Sequence, residues 1–495
     1  MIDAIPKGLL CLAAGALLPL AFAPYNLFIL ALACPAILFY FWLEAPPRTA
    51  FVRGYAFGLG LFGTGVYWLH ISINLFGGMS YAGSIAVTLL LVAFLALYPA
   101  LAGLVSRYAY AGSGRCVQLL LAAPAAWTIT EWLRATLFTG FPWLDLGYSQ
   151  IDSPLGGLAP VFGVFGVGWA AAVCGGALGV VCVEKWRLRV LGLVVLALLP
   201  AAGWVCGIYN WTRPTHGQIS VALVQGDVPQ SVKWHPELQQ YAMRQYSSLT
   251  EPLWGSSIIV WPETAIPALY RNLHGYMQRL AERARQSGSD LYVGLPTSNA
   301  AGDRYYNSVV LVDGRGHRYN KRHLVPFGEY LPFRPWLQGI FDFLRIPMSD
   351  FSPGAPEQPL LRGRNAVVGV SICYEDTFGA EVADALPQAQ ILINVSDDAW
   401  FGDSAAPHQH LQMARMRALE TGRYLLRATD NGISAVIDPH GRIIDEAPQF
   451  AAAVVKAPAR LMKGVTPYSV IGDKPVLIGT LLVLLMIATV SRRRS

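Results

Sequence analysis

The chain has 495 residues, of which 54% are apolar and only 14% are charged, whereas soluble globular proteins carry about 25% charged residues. The deficit is uneven, because the first 210 positions hold 15 charged residues and the other 285 hold 53. These values exclude a single soluble domain, a disordered chain and a nucleic-acid binder with a basic face. They predict a membrane portion joined to a water-exposed domain.

Eight apolar runs long enough to cross a bilayer occur along the chain. They cover residues 8–24, 26–43, 54–75, 83–106, 116–131, 159–183, 189–210 and 475–490. The first run could instead be a cleaved signal peptide, since Lys7 precedes it and Ala21-Phe22-Ala23 resembles a cleavage site. Pro24 directly after that site, and the second run that follows at once, favour a tight helical hairpin.

The basic residues predict how these spans are oriented. With a cytoplasmic N-terminus, eleven Lys and Arg residues fall on the inner side, and only Arg134 falls in an outer loop of the first seven spans. Because cytoplasmic loops are enriched in basic residues, we expect an even number of spans. The predicted division is 1–215 for spans one to seven, 216–468 for a periplasmic domain, and 469–495 for span eight and a cytoplasmic tail. The net charge of +6 is thus a topology signal and indicates no nucleic-acid partner.

The polar domain alternates short apolar runs with helical patterns, which is typical of an α/β domain with layered sheets. Strands are predicted at 218–224, 257–261, 291–295, 308–312, 366–372, 390–395 and 433–437. Helices are predicted at 272–287, where Gly288 is the stop signal, and at 409–423. The first of these helices has an apolar face made of Leu273, Met277, Leu280 and Ala284.

Cys373 is the only one of the seven cysteines that lies in the polar domain. It has no disulfide partner there, although the periplasm favours disulfides, so its thiol is either buried and inert or kept for reactivity. Its position favours reactivity, because it ends an apolar strand and enters the run 371–376 (SICYED). An α/β fold presents nucleophiles where a strand runs into a turn.

Two charged residues could act together with this thiol. Glu263 follows the strand at 257–261 through Pro262, although alone it could be a solvated charge at a strand end. Lys321 lies in an aromatic and apolar run, although alone it could be a surface lysine. A Glu/Lys/Cys set works chemically, because the carboxylate removes the thiol proton, the ammonium stabilises the thiolate and then the oxyanion, and sulfur forms an acyl intermediate.

A Cys/His dyad is the competing arrangement. His408 and His410 lie in a polar segment, and His323 is close to Lys321 in sequence. The His-x-His spacing could also indicate a metal site, but no third ligand stands at a suitable spacing, so we expect no metal.

The segment 327–351 holds seven aromatic residues interleaved with aliphatic ones, and Trp400-Phe401 adds an aromatic pair. Part of this content is expected to be ordinary core. Its concentration in one loop region exceeds what a small core layer needs. It predicts a lid or arm that dips into the membrane interface and admits acyl chains.

Several motifs in this chain resemble the Glu-Lys-Cys pattern of the nitrilase superfamily. They are Trp261-Pro262-Glu263, Tyr319-Asn320-Lys321, the run 325–330 (VPFGEY) and Ile372-Cys373-Tyr374-Glu375. With the eight apolar runs and the segment 394–402 (NVSDDAWFG), the chain resembles the apolipoprotein N-acyltransferases of Gram-negative bacteria, a membrane-bound family of that superfamily. The resemblance extends from residues 22–25 (FAPY) to the last apolar run.

This resemblance implies a membrane α-helical bundle of about eight spans and an α-β-β-α nitrilase-like sandwich over 216–468. It implies that Glu263 is the base, Lys321 the oxyanion stabiliser and Cys373 the nucleophile. Glu329 and Glu375 are implied to orient Lys321 and to support the tetrahedral intermediate. The residues implied to line a lipid cavity are Trp234, Tyr374, Trp400 and Phe401. No metal or organic cofactor is implied.

The implied reaction is a two-step acyl transfer at the bacterial inner membrane. A phospholipid, preferentially phosphatidylethanolamine, gives its sn-1 acyl chain to Cys373, and the α-amine of a diacylglyceryl-cysteine apolipoprotein then takes that chain. A membrane-tethered amidase acting on a soluble substrate is one alternative, which shares the Glu/Lys/Cys set but has no use for the aromatic segment. A transporter is another, which would need ionisable residues inside its spans, but the predicted spans are almost free of charge, with His70 and Glu131 the main exceptions.

Overall fold

The computed structural model describes residues 6–43, 45–110, 114–229, 236–330 and 350–492. The described residues form two compact units. One unit contains those of 1–70, 82–210 and 470–495, and the other contains those of 71–81 and 211–469.

The helices before residue 210 are separated by short turns. They are α1 (Lys7–Leu17), α2 (Leu30–Trp42), α3 (Pro47–Gly65), α4 (Leu69–Leu75), α5 (Tyr81–Leu95), α6 (Leu97–Tyr110), α7 (Arg115–Val117), α8 (Ala123–Thr136), α9 (Ala159–Val183) and α10 (Trp186–Ile208). A π-helical segment, Gln118–Ala122, joins α7 to α8. Short 3-10 turns lie at Leu18–Ala21, Leu137–Thr139, Leu146–Gln150 and Pro154–Leu158.

Each of the eight predicted apolar runs contains a helix, but the helices differ in length. Among the described residues, four are long and apolar enough to cross a membrane: Tyr81–Ala109, Arg115–Thr139, Pro154–Val183 and Trp186–Ile208. The pair Pro47–Gly65 and Leu69–Leu75, bent by 55°, makes a fifth if it is counted as one span. The shorter apolar helices are Lys7–Ala21, Leu30–Trp42 and Lys474–Val490. The count of eight spans therefore stays a prediction.

Arg134, the basic residue that the sequence assigns to an outer loop, is buried with only 3% of its surface exposed. Its guanidinium pairs with Asp145 at 2.5 Å and donates a hydrogen bond to the Phe141 carbonyl at 2.7 Å. It also lies 5.1 Å from the centre of the Phe62 ring. Arg134 is thus a structural cation within the helical unit and not a free loop charge.

The second unit is an α-β-β-α sandwich, as predicted. Its strands are β1 (Arg213–Gln225), β2 (Ile258–Val260), β3 (Asp290–Ser298), β4 (Tyr305–Leu311), β5 (Arg318–Asn320), β6 (Leu361–Arg362), β7 (Val367–Ile372), β8 (Ile391–Ser396), β9 (Leu425–Thr429), β10 (Ala435–Ile437), β11 (Ile443–Glu446) and β12 (Ala453–Lys463). One sheet has the order β12-β1-β2-β3-β4-β5, and the other has the order β11-β10-β9-β8-β7-β6.

Each sheet has three parallel strands at its centre, β1-β2-β3 in one and β7-β8-β9 in the other, and its remaining strand pairs are antiparallel. The carboxyl ends of parallel strands lie at one edge of their sheet, where α/β folds place their sites. In this chain β2 ends just before Glu263, and β7 ends just before Cys373. This topology places both predicted site residues just beyond strand ends.

Helices cover the outer faces of the two sheets. They are α11 (Pro236–Thr250), α12 (His274–Ser287), α13 (Gly379–Ala383) and α14 (Ala405–Thr421), followed in the chain by α15 (Pro467–Ile471) and α16 (Lys474–Arg492). Further 3-10 turns lie at Glu251–Leu253, Tyr270–Leu273, Cys373–Thr377 and Asp398–Phe401. An apolar core fills the space between the sheets, and two further clusters fill the spaces between sheets and helices.

Candidate active site

Cys373 begins the 3-10 turn Cys373–Thr377 directly after β7 and has a left-handed backbone conformation, with φ of 50°. Such a conformation is uncommon for a residue with a side chain, and it persists only where the surroundings enforce it. The Glu375 carboxylate accepts a hydrogen bond from the Ile372 N–H at 2.7 Å and so closes the turn around Cys373. The thiol-bearing residue is half-buried at this sharp strand-to-turn junction.

Glu263 lies three residues beyond the end of β2 and is buried, with 7% of its surface exposed. Its Oε1 accepts a hydrogen bond from the Asn307 side chain at 2.6 Å, and its Oε2 accepts one from the Asp397 N–H at 3.0 Å. Gly294 in β3 makes this position possible, because a β-carbon there would lie 2.1 Å from the Pro262 carbonyl oxygen. The carboxylate is therefore fixed by donors from the two sheets.

Lys321 directly follows β5, and its side chain is only 1% exposed. Its Nζ lies 2.9 Å from the Glu329 carboxylate and 3.6 Å from Oε1 of Glu263. The side-chain amide of Asn307 donates to Oε1 of both carboxylates, at 2.6 Å for Glu263 and 3.0 Å for Glu329. A buried ammonium thus bridges the buried carboxylate of Glu263 and the half-buried carboxylate of Glu329.

The charges of this cluster determine the resting state of the thiol. Burial alone would lower the pKa of Lys321, but the Glu329 and Glu263 carboxylates outweigh burial and hold it above its usual range, so the ammonium stays charged. Burial raises the pKa of the Cys373 thiol well above its ordinary value, and the Glu263 carboxylate adds to the rise while Lys321 opposes it. Cys373 therefore rests as a thiol and needs a base to remove its proton.

Glu329 and Glu375 both hold the segment that carries Lys321. The Glu329 carboxylate contacts Nζ of Lys321 and accepts a hydrogen bond from the Val325 N–H at 2.9 Å. The Glu375 carboxylate accepts hydrogen bonds from the N–H groups of Arg322 and His323, at 2.7 and 3.1 Å. Burial raises the pKa of Glu375 to about 7, although these backbone donors oppose the rise. Glu375 thus ties the segment after Lys321 to the turn at Cys373 and is a positioning residue.

Comparison with known proteins assigns the whole chain to a family. The family model described as the apolipoprotein N-acyltransferase N-terminal domain matches residues 14–177, and the carbon-nitrogen hydrolase model matches residues 219–461. An apolipoprotein N-acyltransferase of Methylococcus capsulatus is 47% identical over 468 residues, which cover 94% of this chain and 93% of that protein. The chain belongs to the apolipoprotein N-acyltransferase family.

Two further relatives agree over nearly the full length. The apolipoprotein N-acyltransferase of Coxiella burnetii is 40% identical, covering 93% of this chain and 95% of that protein. That of Photobacterium profundum is 38% identical, covering 98% of this chain and 95% of that protein. The chain is therefore a membrane protein and an enzyme, an acyltransferase of the carbon-nitrogen hydrolase superfamily, and the transporter alternative falls away.

Two of the three histidines that the sequence offers as alternative bases, His410 and His323, have carboxylate partners. His410 Nδ1 lies 3.0 Å from Oδ1 of Asp398, and its Nε2 lies 2.8 Å from Oδ1 of Asp376. His323 Nδ1 lies 2.8 Å from Oε1 of Glu381. Glu263 stays the predicted base.

The residues implied to line a lipid cavity differ in their surroundings. Tyr374 is buried beside Phe378, with ring centres 5.2 Å apart. Trp400 and Phe401 are half-buried in the turn after β8, and the Trp400 ring packs edge-on against Phe76 at 4.7 Å. Trp234 and most of the aromatic segment, residues 331–349, lie outside the described residues. The lid and the lipid cavity therefore stay predictions.

Asn307 is the residue at the centre of the cluster that sequence reasoning missed. It is buried in β4, with 4% of its surface exposed, and it links the two carboxylates that flank Lys321. The available signal was an amide directly before the predicted strand 308–312. A buried polar side chain needs partners, so such a residue inside a strand is a candidate for a site.

Proposed function

We propose that this enzyme moves the sn-1 acyl chain of a phospholipid, phosphatidylethanolamine, to the N-terminal amine of diacylglyceryl-cysteine apolipoproteins, which is the last step of lipoprotein maturation. Membership of the apolipoprotein N-acyltransferase family supports the lipoprotein substrate. The observation that carries the mechanism is the buried ammonium of Lys321, held between Glu263 and Glu329 and interacting electrostatically with Cys373.

In the first step, Glu263 removes the proton of the Cys373 thiol and the sulfur attacks the ester carbonyl. Negative charge then develops on the carbonyl oxygen, and the fixed Lys321 ammonium stabilises it without reorganisation. The ester bond breaks, the lysophospholipid alkoxide takes the proton from Glu263, and the acyl chain remains on Cys373 as a thioester.

In the second step, the neutral α-amine of the apolipoprotein attacks the thioester carbonyl. Glu263 accepts a proton from the amine, and Lys321 again stabilises the oxyanion. The carbon–sulfur bond breaks, the thiolate recovers its proton from Glu263, and an amide is released. A thioester is activated enough for an amine to attack, and exclusion of water from the site limits hydrolysis.

We further infer that the sandwich domain lies on the periplasmic face of the inner membrane. The distribution of Lys and Arg supports this orientation, because the loops assigned to the inner side carry nearly all the basic residues of the helical portion. Arg134, the apparent exception, is buried in an ion pair with Asp145. In that orientation the catalytic residues face the compartment in which lipoproteins carry their free α-amine.

The purified full chain, incubated with phosphatidylethanolamine vesicles and a synthetic diacylglyceryl-cysteine lipopeptide, tests this function. We expect one lysophospholipid to be released for each N-acyl lipopeptide formed. Glu263→Gln is expected to abolish both products, whereas Glu251→Gln, which changes an exposed carboxylate of the same domain, is expected to leave them unchanged. Hydrolysis of small soluble amides without lysophospholipid release would support the amidase instead.

A further inference from the structure

A ring of four buried charges lies beside the turn that begins with Cys373 and takes no part in the proposed proton transfers. His410 contacts Asp376 and Asp398 through its two ring nitrogens, at 2.8 and 3.0 Å. The Arg427 guanidinium donates to Oδ2 of the same two carboxylates, at 3.1 and 2.9 Å. None of the four residues is more than 2% exposed. Water is therefore excluded from a closed ring of two cations and two anions.

The ring keeps its charges at neutral pH. Each ring nitrogen of His410 faces a carboxylate, which accepts a hydrogen bond when ionised. Both nitrogens can donate at the same time only when the imidazole is protonated. Burial and the Arg427 guanidinium would lower the pKa of His410, but the Asp376 and Asp398 carboxylates outweigh them and raise it to about 9. Burial opposes ionisation of Asp398, yet Arg427 and His410 hold the pKa of this carboxyl well below its usual range. At neutral pH the ring is therefore a fixed set of charges, and it neither takes up nor releases protons during the reaction.

Ser396 connects this ring to the nucleophile. It ends β8, and the parallel register that pairs Ile372 with Val395 makes Cys373 and Ser396 the next positions on neighbouring strands. The fully buried Ser396 hydroxyl donates a hydrogen bond to Oδ1 of Asp398 at 2.9 Å. The Ser396 side chain also lowers the pKa of the Cys373 thiol, as a donor to the thiolate would. The Ser396 hydroxyl therefore lies beside both the ionised Asp398 carboxylate and the position of the Cys373 sulfur.

A hydroxyl has one hydrogen to donate, so Ser396 cannot donate to Asp398 and to the sulfur at the same time. When Cys373 is a thiol, Asp398 is the stronger acceptor because it is charged. When Cys373 is a thiolate, the sulfur carries a full charge and has lost its own proton. Asp398 can then release the hydroxyl, because His410 and Arg427 continue to donate to it.

We propose that Ser396 is a further catalytic residue of the acyl transfer, whose hydroxyl turns from Asp398 to Sγ of Cys373 when the thiol loses its proton, and so stabilises the thiolate. The inference rests on the proposed function. The S–H bond breaks and its proton forms an O–H bond with Glu263, while the Ser396 O–H bond stays intact and only rotates. The same rotation stabilises the thiolate that leaves when the amine takes the acyl chain.

The test measures how fast iodoacetamide alkylates Cys373 in the full chain in detergent, from about pH 6 to about pH 10. Mass spectrometry of the peptide that carries Cys373 separates its alkylation from that of the other cysteines. A hydrogen bond to a charged group contributes enough that Ser396→Ala is expected to slow alkylation ~10- to 100-fold at each pH below the thiol's midpoint. Ser396→Thr keeps the hydroxyl and is expected to restore most of the rate.

Ser289→Ala is the matched control, because it removes a buried hydroxyl of the same domain directly before β3, at the opposite end of that strand from the site. It is expected to alkylate at the wild-type rate. If Ser396→Ala does not fold, as judged by its thermal unfolding, Ser396→Gly carries the test with the same expected result.

A second experiment distinguishes failure of the proposed function from failure of the role assigned to Ser396. It adds phosphatidylethanolamine vesicles in place of iodoacetamide and measures acylation of Cys373. If Cys373 of the wild type gains no acyl group, the proposed function is wrong. If the wild type is acylated and the folded Ser396→Ala variant is alkylated and acylated at wild-type rates, the proposed function stands and the role of Ser396 is refuted.

Discussion

Replacing His410 with glutamine removes one of the two cations of the buried ring and is expected to change how stability depends on pH. The pKa of His410 is about 9 in the folded chain and about 6.5 in an unfolded chain. A group with a raised folded-state pKa contributes stability that is fully present below about pH 6.5 and is lost as the pH rises through about 9.

The size of the effect follows from that difference. Each pKa unit corresponds to about 1.4 kcal/mol, so the protonated ring is expected to contribute about 3 kcal/mol at pH 6 relative to pH 10. For a domain of about 250 residues, 1 kcal/mol corresponds to ~2–4 °C in the unfolding midpoint. The gap in midpoint between the wild type and His410→Gln is therefore expected to narrow by ~6–12 °C across this pH range.

The assay is thermal unfolding of the full chain in detergent, followed by intrinsic fluorescence from about pH 6 to about pH 10. His408→Gln is the control, because it makes the same change two residues earlier on α14 at a half-buried position. The difference in unfolding midpoint between the wild type and His408→Gln is expected to be the same across this pH range. A constant gap for His410→Gln, or the same narrowing for His408→Gln, would refute the reasoning.

Two further changes test how the catalytic cluster is held together. Asn307→Ala removes the donor shared by the Glu263 and Glu329 carboxylates and is expected to slow lysophospholipid release ~10- to 100-fold. Asn365→Ala is its control, because it removes two amide hydrogen bonds, at 2.8 and 2.9 Å, elsewhere in the domain. The control is expected to release lysophospholipid within about twofold of the wild-type rate. Gly294→Ala would bring a β-carbon within 2.1 Å of the Pro262 carbonyl, so we expect a loss of about 1–3 kcal/mol in unfolding free energy and slower acyl transfer. Gly217→Ala, with nothing within 4 Å of its β-carbon, is expected to be neutral in both assays. If Asn307→Ala and Asn365→Ala gave the same rate, the role of Asn307 in the cluster would be refuted. If Gly294→Ala and Gly217→Ala gave the same stability and rate, the need for glycine at position 294 would be refuted.

The elements with strong local patterns were predictable from the sequence. Helix α12 begins at His274 and ends at Ser287, its predicted apolar face is buried, and Gly288 has the left-handed conformation expected of a stop. The seven predicted strands are all present. Strand β9 was missed because Arg427 interrupts its apolar run. Strand β12 was missed because Pro458 lies inside it and argues against a strand, although its alternation of buried with exposed residues is typical of one.

The positions of some candidate-site residues were also predictable from the sequence. Glu263 and Cys373 each follow an apolar strand, so the topology of parallel strands brings them to corresponding edges. Asn307 and Ser396 gave no such signal, because their roles arise from register and from contacts between strands far apart in the sequence. The two tasks of Glu375, accepting hydrogen bonds from the turn at Cys373 and from the segment after Lys321, likewise exist only in the folded chain.

The central claim, a thioester on Cys373, is tested most directly by the intact mass of the full chain after incubation with phosphatidylethanolamine and no acceptor. We predict an increase equal to one fatty-acyl group, removed by hydroxylamine, transferred on addition of a diacylglyceryl-cysteine lipopeptide, and absent from Cys373→Ala. An unmodified wild-type chain that nevertheless transfers the acyl group, or transfer that persists in Cys373→Ala, would contradict the account.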